Sequence, residues 1–207
     1  MNNRYKADGP QAAMQSGSDG QVLANRLGIT SVDEMAEAEL ILLEQLYEAV
    51  LVDALPDRVL TVADLTEWHR RWLGNLYDFA GLLRTVNVSK SGFLFANAAL
   101  VPNLLLDFEG DCLQRYTPCR DLDDEALAQA MAVCHVELIL IHPFREGNGR
   151  LARLLVDVMA VQAGRQPLDY SAWDADKEGY FAAIRAGQGG DYAPMQQRVL
   201  LTLGSGG

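Results

Sequence analysis

Apolar positions along the 207-residue chain recur mostly at helical spacing. From Ser31 the pattern is helical, and Ser31 and Glu34 have the S-x-x-E arrangement of a capping box. Leu40, Leu43, Tyr47 and Val50 mark one face of that helix, and Pro56 ends the region. Thr61 and Asp64 provide caps for a second helix that carries Leu65, Trp68, Trp72 and Leu73. A third helix is predicted over Leu100 to Leu113. Asp121 to Asp124 offer N-caps for a long helix over Glu125 to Ile141, with Leu127, Met131, Cys134 and Leu138 on one face. Pro143 stops it by removing a donor and restricting the residue before it. A further helix from Gly149 has Leu151, Leu154, Leu155 and Val158 at the i, i+3, i+4, i+7 spacing, and a last pair spans Lys177 to Ala186 and Pro194 to Leu203.

One stretch breaks the helical period. Residues 83–96 read LRTVNVSKSGFLFA. Thr85, Val86 and Val88 favour strand, Lys90-Ser91-Gly92 suits a turn, and Phe93 to Phe95 is again extended. A short hairpin follows, and because two strands alone are marginal it must lean on the helices. The prediction is a mainly α fold, a helical bundle with one short β-hairpin. Residues 1–20, rich in Gly, Ser, Asn and Gln, read as a mobile tail ahead of a single domain over 21–203.

Composition narrows the function. Apolar residues make up 49% of the chain and charged residues 22%, which suits a folded globular protein. A formal net charge of -11 without a basic cluster argues against a nucleic-acid partner. No stretch is long and apolar enough to predict a membrane span, and the polar N-terminus is not that of a secretory signal peptide. A cytoplasmic, bacterial location is expected, with export as an effector left open. Cys112, Cys119 and Cys134 are odd in number and form no CxxC pair, so a disulfide framework is not expected.

The chemistry concentrates in Ile141-His142-Pro143-Phe144-Arg145-Glu146-Gly147-Asn148-Gly149-Arg150-Leu151-Ala152-Arg153. Gly147, Asn148 and Gly149 tolerate unusual backbone conformations and stand where a helix begins, so their N–H groups and the helix dipole can form an anion site. Arg150 and Arg153 are three apart, on one side of that helix, within reach of a polyphosphate. Glu146 is a carboxylate placed to hold Mg2+ against phosphate oxygens. His142, with an unperturbed pKa near neutrality, can accept a hydroxyl proton. Together these residues predict phosphate-ester transfer.

The stretch HPFREGNGRLAR resembles the Fic signature HPFx[D/E]GNGRxxR at every defined position. LYDFAGLLRTVNVSKSGFLFANA is similar to the Fic segment leading into the flap hairpin, and ANRLGI to the entry of Fic domains. The resemblance covers about residues 21–200. It implies a Fic fold with the hairpin as a flap beside the active-site loop, and it implies protein adenylylation: AMP passes from ATP to a Tyr, Thr or Ser hydroxyl of a target protein and pyrophosphate leaves. By the same resemblance His142 is the general base, and Glu146 coordinates Mg2+ on the α- and β-phosphates. Gly147, Asn148 and Gly149 line the anion hole. Arg150 binds the β/γ-phosphates, Arg153 the γ-phosphate, and Phe144 points into the core. Gly149 and Arg153 match the adenylylating pattern better than that of the phosphorylating Doc group. Tyr180 lies on the helix that lines the base pocket in this family, where packing competes with a contact to adenine. The flap, residues 86–95, is expected to hold the target by strand addition.

One familial element is missing. Many Fic enzymes carry an inhibitory [S/T]xxxE[G/N] helix. Here only Thr30 and Glu34 have that spacing, with Met35 in place of Gly or Asn. Restraint by a separate small antitoxin-like protein is therefore expected. Two other readings stay open: a transferase of the same fold that uses UTP, GTP or CDP-choline, and a non-catalytic module that binds nucleotide or partner. His69 and His135 read as packed, structural histidines, and Arg145, at the variable position of the signature, as solvated or target-facing.

Overall fold

The computed structural model describes residues 6–7, 10–90 and 92–203. In chain order the elements are β1 (Lys6–Ala7), α1 (Val32–Tyr47), α2 (Val62–Leu73), β2 (Val88–Lys90), β3 (Phe93–Leu94), α3 (Val101–Phe108), α4 (Gln114–Tyr116), α5 (Asp124–Ile141), α6 (Asn148–Gln162), α7 (Ser171–Ala175), α8 (Lys177–Gly187) and α9 (Ala193–Leu203). The fold is mainly helical, as the periodicity predicts.

The long helix α5 is the central element. It is apolar on nearly all sides and packs against α6 and α9 most extensively, with α3 and α8 beside them. A helix apolar all round belongs in the interior. Its start is capped by Asp123, whose side chain accepts from the Ala126 N–H. At α2 the predicted cap forms as a complete capping box between Thr61 and Asp64.

Three expectations need correction. Of the face marked by Leu40, Leu43, Tyr47 and Val50, the last three pack on the core, but Leu40 is 52% exposed. The residues of α1 that are buried are Met35, Glu39 and Leu46, with Val50 beyond its end, so a charged residue not marked by the pattern shares the inner face. Second, the predicted hairpin forms from β2 and β3 but does not stand as two strands alone. β1 pairs antiparallel with β2, opposite β3, giving the order β1-β2-β3 and closing one of the hairpin's edges. Third, the segment read as a tail is tied down over residues 10–20. The Gln11 carbonyl accepts from Arg145, its side chain accepts from the Thr85 N–H, and Met14 bridges to Leu23. Residues 1–5 and 8–9 lie outside the described residues.

Candidate active site

The loop between α5 and α6 is shaped first by its backbone. His142 follows Ile141 in the left-handed region, with φ of 52°, while its N–H still closes the last turn onto the Leu138 carbonyl. Such a conformation costs a non-glycine residue roughly 1 kcal/mol and must be held by its surroundings. Arg84 does the holding. Its buried guanidinium donates to the carbonyls of His142 (2.6 Å), Val86 (2.8 Å), Ile141 (3.2 Å) and Ala96. Burial lowers its pKa to about 10. One cation thus joins the end of α5 to both ends of the hairpin segment.

The remainder of the loop is closed by Asn148. Its fully buried side chain accepts from the Phe144 N–H at 2.9 Å and donates to the Phe144 carbonyl at 2.8 Å. Phe144 stacks on His69 with ring centroids 4.0 Å apart. The His69 Nδ1 accepts from the Gly81 N–H at 2.8 Å, so its Nε2 carries the proton and donates to the Glu146 carbonyl at 3.1 Å. His69, read as merely structural, is the prop beneath the loop. Gly147 has φ of 82°, and a Cβ there would come within 2.7 Å of the Trp72 ring, so only glycine fits.

These supports bring the sequence-predicted residues to one place. A cleft of about 310 Å3 is lined by His142, Glu146, Gly147, Gly149, Arg150, Arg153 and Tyr180, with Lys90 and Phe95 from the hairpin and Ile139 and Phe181 completing it. Helix α6 starts at the rim, and the N–H groups of its first turn have no helical acceptors. Asn148 was expected to act through its backbone N–H. Its side chain faces the loop, so only its backbone is available to an anion.

His142 is 1% exposed, and Phe95 stacks on its ring at 3.6 Å. Its Nδ1 donates to the Ile139 carbonyl at 3.1 Å, which assigns the lone pair to Nε2. Burial, aided by the charges of Arg84 and Lys90, lowers its pKa to about 3, so the ring is neutral. Burial likewise holds the Lys90 ammonium below the usual lysine range. Glu146 accepts from the Gly147 N–H at 3.0 Å, and its carboxylate lies 3.8 Å from Arg150.

The two arginines are gripped from opposite sides. Arg150 stacks over Trp72 at 4.5 Å and pairs with Glu39 at 2.8 Å. Arg153 pairs with Asp174 at 2.7 Å and 3.1 Å and lies over Tyr170 at 4.7 Å. The Tyr180 hydroxyl donates to His135 Nε2 at 2.8 Å, and its ring stacks on Trp173. This fixes Tyr180 as one wall of the cleft and His135 as a packed histidine. Arg145 is buried, 1% exposed, and donates to the Gln11 carbonyl, which corrects its reading as a solvated residue. Glu39, His69, Trp72, Arg84 and Asp174 are the site residues that sequence reasoning missed. Hydropathy places Glu39 on the outside of α1, so the sequence carried no signal for it.

Fold and site together define a helical domain with a histidine at the end of one buried helix and a glycine-bearing loop at the start of the next. Residues 59–160, about half the chain, match the family model described as Fic/DOC family. The chain belongs to the Fic/DOC family. It is 29% identical over 141 residues to the protein adenylyltransferase fic-1 of Caenorhabditis briggsae, covering 68% of this chain but 26% of that protein. The chain thus spans about a quarter of the length of these nematode relatives. It is 27% identical over 178 residues to the probable protein adenylyltransferase y4lH of Sinorhizobium fredii, covering 86% of this chain and 89% of that one. The BepC effector of Bartonella tribocorum, solved with bound AMPPNP, shares the fold with a TM-score of 0.74 at 21% identity, over 93% of this chain and 96% of that one.

Proposed function

We propose that the chain is a protein adenylyltransferase, moving AMP from ATP to a hydroxyl of a target protein. The observation that carries the reading is the convergence of His142, Glu146, Gly147, Gly149, Arg150 and Arg153 on one cleft. Relatives named as protein adenylyltransferases support it.

The residues divide the work as their chemistry dictates. A target hydroxyl entering beside Phe95 meets Nε2 of His142, which takes its proton as the oxygen attacks the α-phosphorus and pyrophosphate leaves. Phosphates in the cleft favour the imidazolium and raise the histidine pKa when it must accept that proton. The first turn of α6 and the two arginines face the charge of the polyphosphate. Mg2+ fits here as a shared ion. Glu146 supplies one carboxylate, and no group of three or more His, Cys, Asp or Glu that could hold a metal occurs among the described residues. Phosphate oxygens and water would complete its shell, and the ion would neutralise developing phosphate charge. Tyr180, with its hydroxyl engaged by His135, offers its ring to the base. With β1 on the other edge, an extended target segment would add at β3. Restraint by a separate protein stays part of the proposal, since the carboxylate paired with Arg153 is Asp174 and Glu34 is exposed at the start of α1.

The test is label transfer from α-labelled ATP with Mg2+ into protein of a bacterial lysate, comparing the chain with His142→Ala. A labelled band that disappears in the variant is the expected result. Transfer from UTP, GTP or CDP-choline but not ATP would replace the donor. Nucleotide binding without any transfer would favour the binding-module reading.

A further inference from the structure

The geometry points to Glu39 as a positioning residue that orients Arg150 for a polyphosphate. It lies on α1, far in sequence from the loop, and is 4% exposed. A carboxylate that deep is retained only with partners for both oxygens. Glu39 has them: Oε1 accepts from the Tyr77 hydroxyl at 2.5 Å, and Oε2 lies 2.8 Å from Nη2 of Arg150.

The same residue also sets the surface beneath the arginine. Its backbone carbonyl accepts from Trp72 Nε1 at 2.8 Å, and the Trp72 ring lies under the Arg150 guanidinium. That ring closes on Gly147 at the start of the anion loop. Glu39 therefore fixes both the plane and the in-plane rotation of the guanidinium. Its Tyr77 bond in turn fixes the carboxylate. Arg150 still keeps 35% of its side chain exposed while lining the cleft, so the pairing leaves guanidinium surface available to phosphate. A guanidinium has five donors and one carboxylate oxygen does not exhaust them. Held this way, Arg150 loses little rotamer freedom when a ligand arrives.

The inference rests on the nucleotide reading only in taking a polyphosphate as ligand. Its test is binding, not turnover. Affinities of the full chain for ATP, tripolyphosphate and AMP are measured by calorimetry with Mg2+ for wild type, Glu39→Gln, Tyr77→Phe, Arg150→Ala and the Glu39→Gln/Arg150→Ala double variant, together with thermal midpoints. Glu39→Gln is expected to weaken ATP and tripolyphosphate about tenfold and leave AMP within about twofold. Tyr77→Phe shifts the same ligands in the same direction by less. In the Arg150→Ala background Glu39→Gln has no further effect, because its target is gone.

Three outcomes overturn the assignment. Equal weakening of ATP and AMP with a fall in midpoint means that Glu39 only braces the fold. Tighter ATP binding by Glu39→Gln means that the carboxylate restrains Arg150 instead of presenting it. Failure of wild type to bind either ATP or tripolyphosphate removes the ligand. Loss of label transfer in the wild type with the ATP-against-AMP contrast intact sinks the adenylyltransferase reading alone.

Discussion

The two walls of the cleft hold equivalent cations in unequal ways. On the α1–α2 side, Arg150 is clamped between a buried carboxylate and an indole. On the α7 side, one turn further along α6, Arg153 meets Asp174, which is 54% exposed. The Arg153 guanidinium holds the Asp174 carboxyl below the usual carboxylate range. An exposed ion pair contributes roughly 0–1 kcal/mol and yields readily to a competing anion. A buried carboxylate left without its partners costs several kcal/mol, so that pair persists. The contrast teaches that one wall is preformed and the other exchangeable. On the proposed reading, a phosphate would displace Asp174 from Arg153 but be received beside Glu39.

The largest expected effect breaks the chemistry that both walls serve. His142→Ala should lower label transfer by about 10²–10⁴-fold, the usual contribution of a general base, with ATP affinity little changed. An equal loss of ATP binding would mean that the histidine holds the loop instead of the proton.

The next effect is acid destabilisation. All three histidines are buried and neutral, with pKa values lowered by burial to about 4 for His69 and His135 and about 3 for His142. Each contributes stability that is complete above the unfolded value of about 6.5 and is lost as pH falls toward the folded one. Asp157 works in the opposite sense. Burial raises its pKa to about 6 against hydrogen bonds from Leu168, Tyr170 and Tyr47, so between about 6 and 4 it holds a proton that the unfolded chain lacks. The net is about two protons taken up on unfolding near pH 5, or about 3 kcal/mol of stability lost per pH unit. Urea midpoints measured from pH 7 to 4.5 check this, and an unchanged midpoint would contradict the buried, neutral histidines.

Asn148→Ala comes third. It removes two hydrogen bonds from fully buried partners, for an expected loss of about 2–3 kcal/mol, read from denaturant unfolding. Smallest is Asp174→Asn, which sharpens the comparison of the walls directly. Stability should change by less than about 1 kcal/mol. The apparent KM for ATP should fall two- to threefold, because Arg153 no longer has to be released. A loss of stability like that of Asn148→Ala would show the second wall to be as preformed as the first.

Much of the site is legible in the amino-acid sequence. The loop residues from His142 to Arg153 are contiguous, and their chemistry is defined by short spacings: a helix stop at Pro143, a glycine-rich turn and two arginines one turn apart. The helices around α5 follow from periodicity, and the hairpin from β-branched residues flanking a turn. The third strand is not legible, because a two-residue segment, Lys6–Ala7, carries no pattern of its own and exists only where β2 offers an edge. Periodicity misses Glu39 on the inner face of α1 for a related reason. Hydropathy puts Glu39 outside, and only partners from distant parts of the chain offset the cost of its burial.

The sequence by itself determined the helical class, the position of the loop and the identity of the groups that line the cleft from it, because local spacing and residue chemistry are enough for each. Only the tertiary structure decided that Arg84 would hold His142 in a left-handed turn, that His69 would prop Glu146, that Arg145 would be buried, and that Glu39 and Asp174 would grip the two arginines unequally. Each of these depends on a pair of residues well separated along the chain and brought together by packing of the core. Burial, which sets the strength of every such pair, is a property of the folded whole that no single position carries.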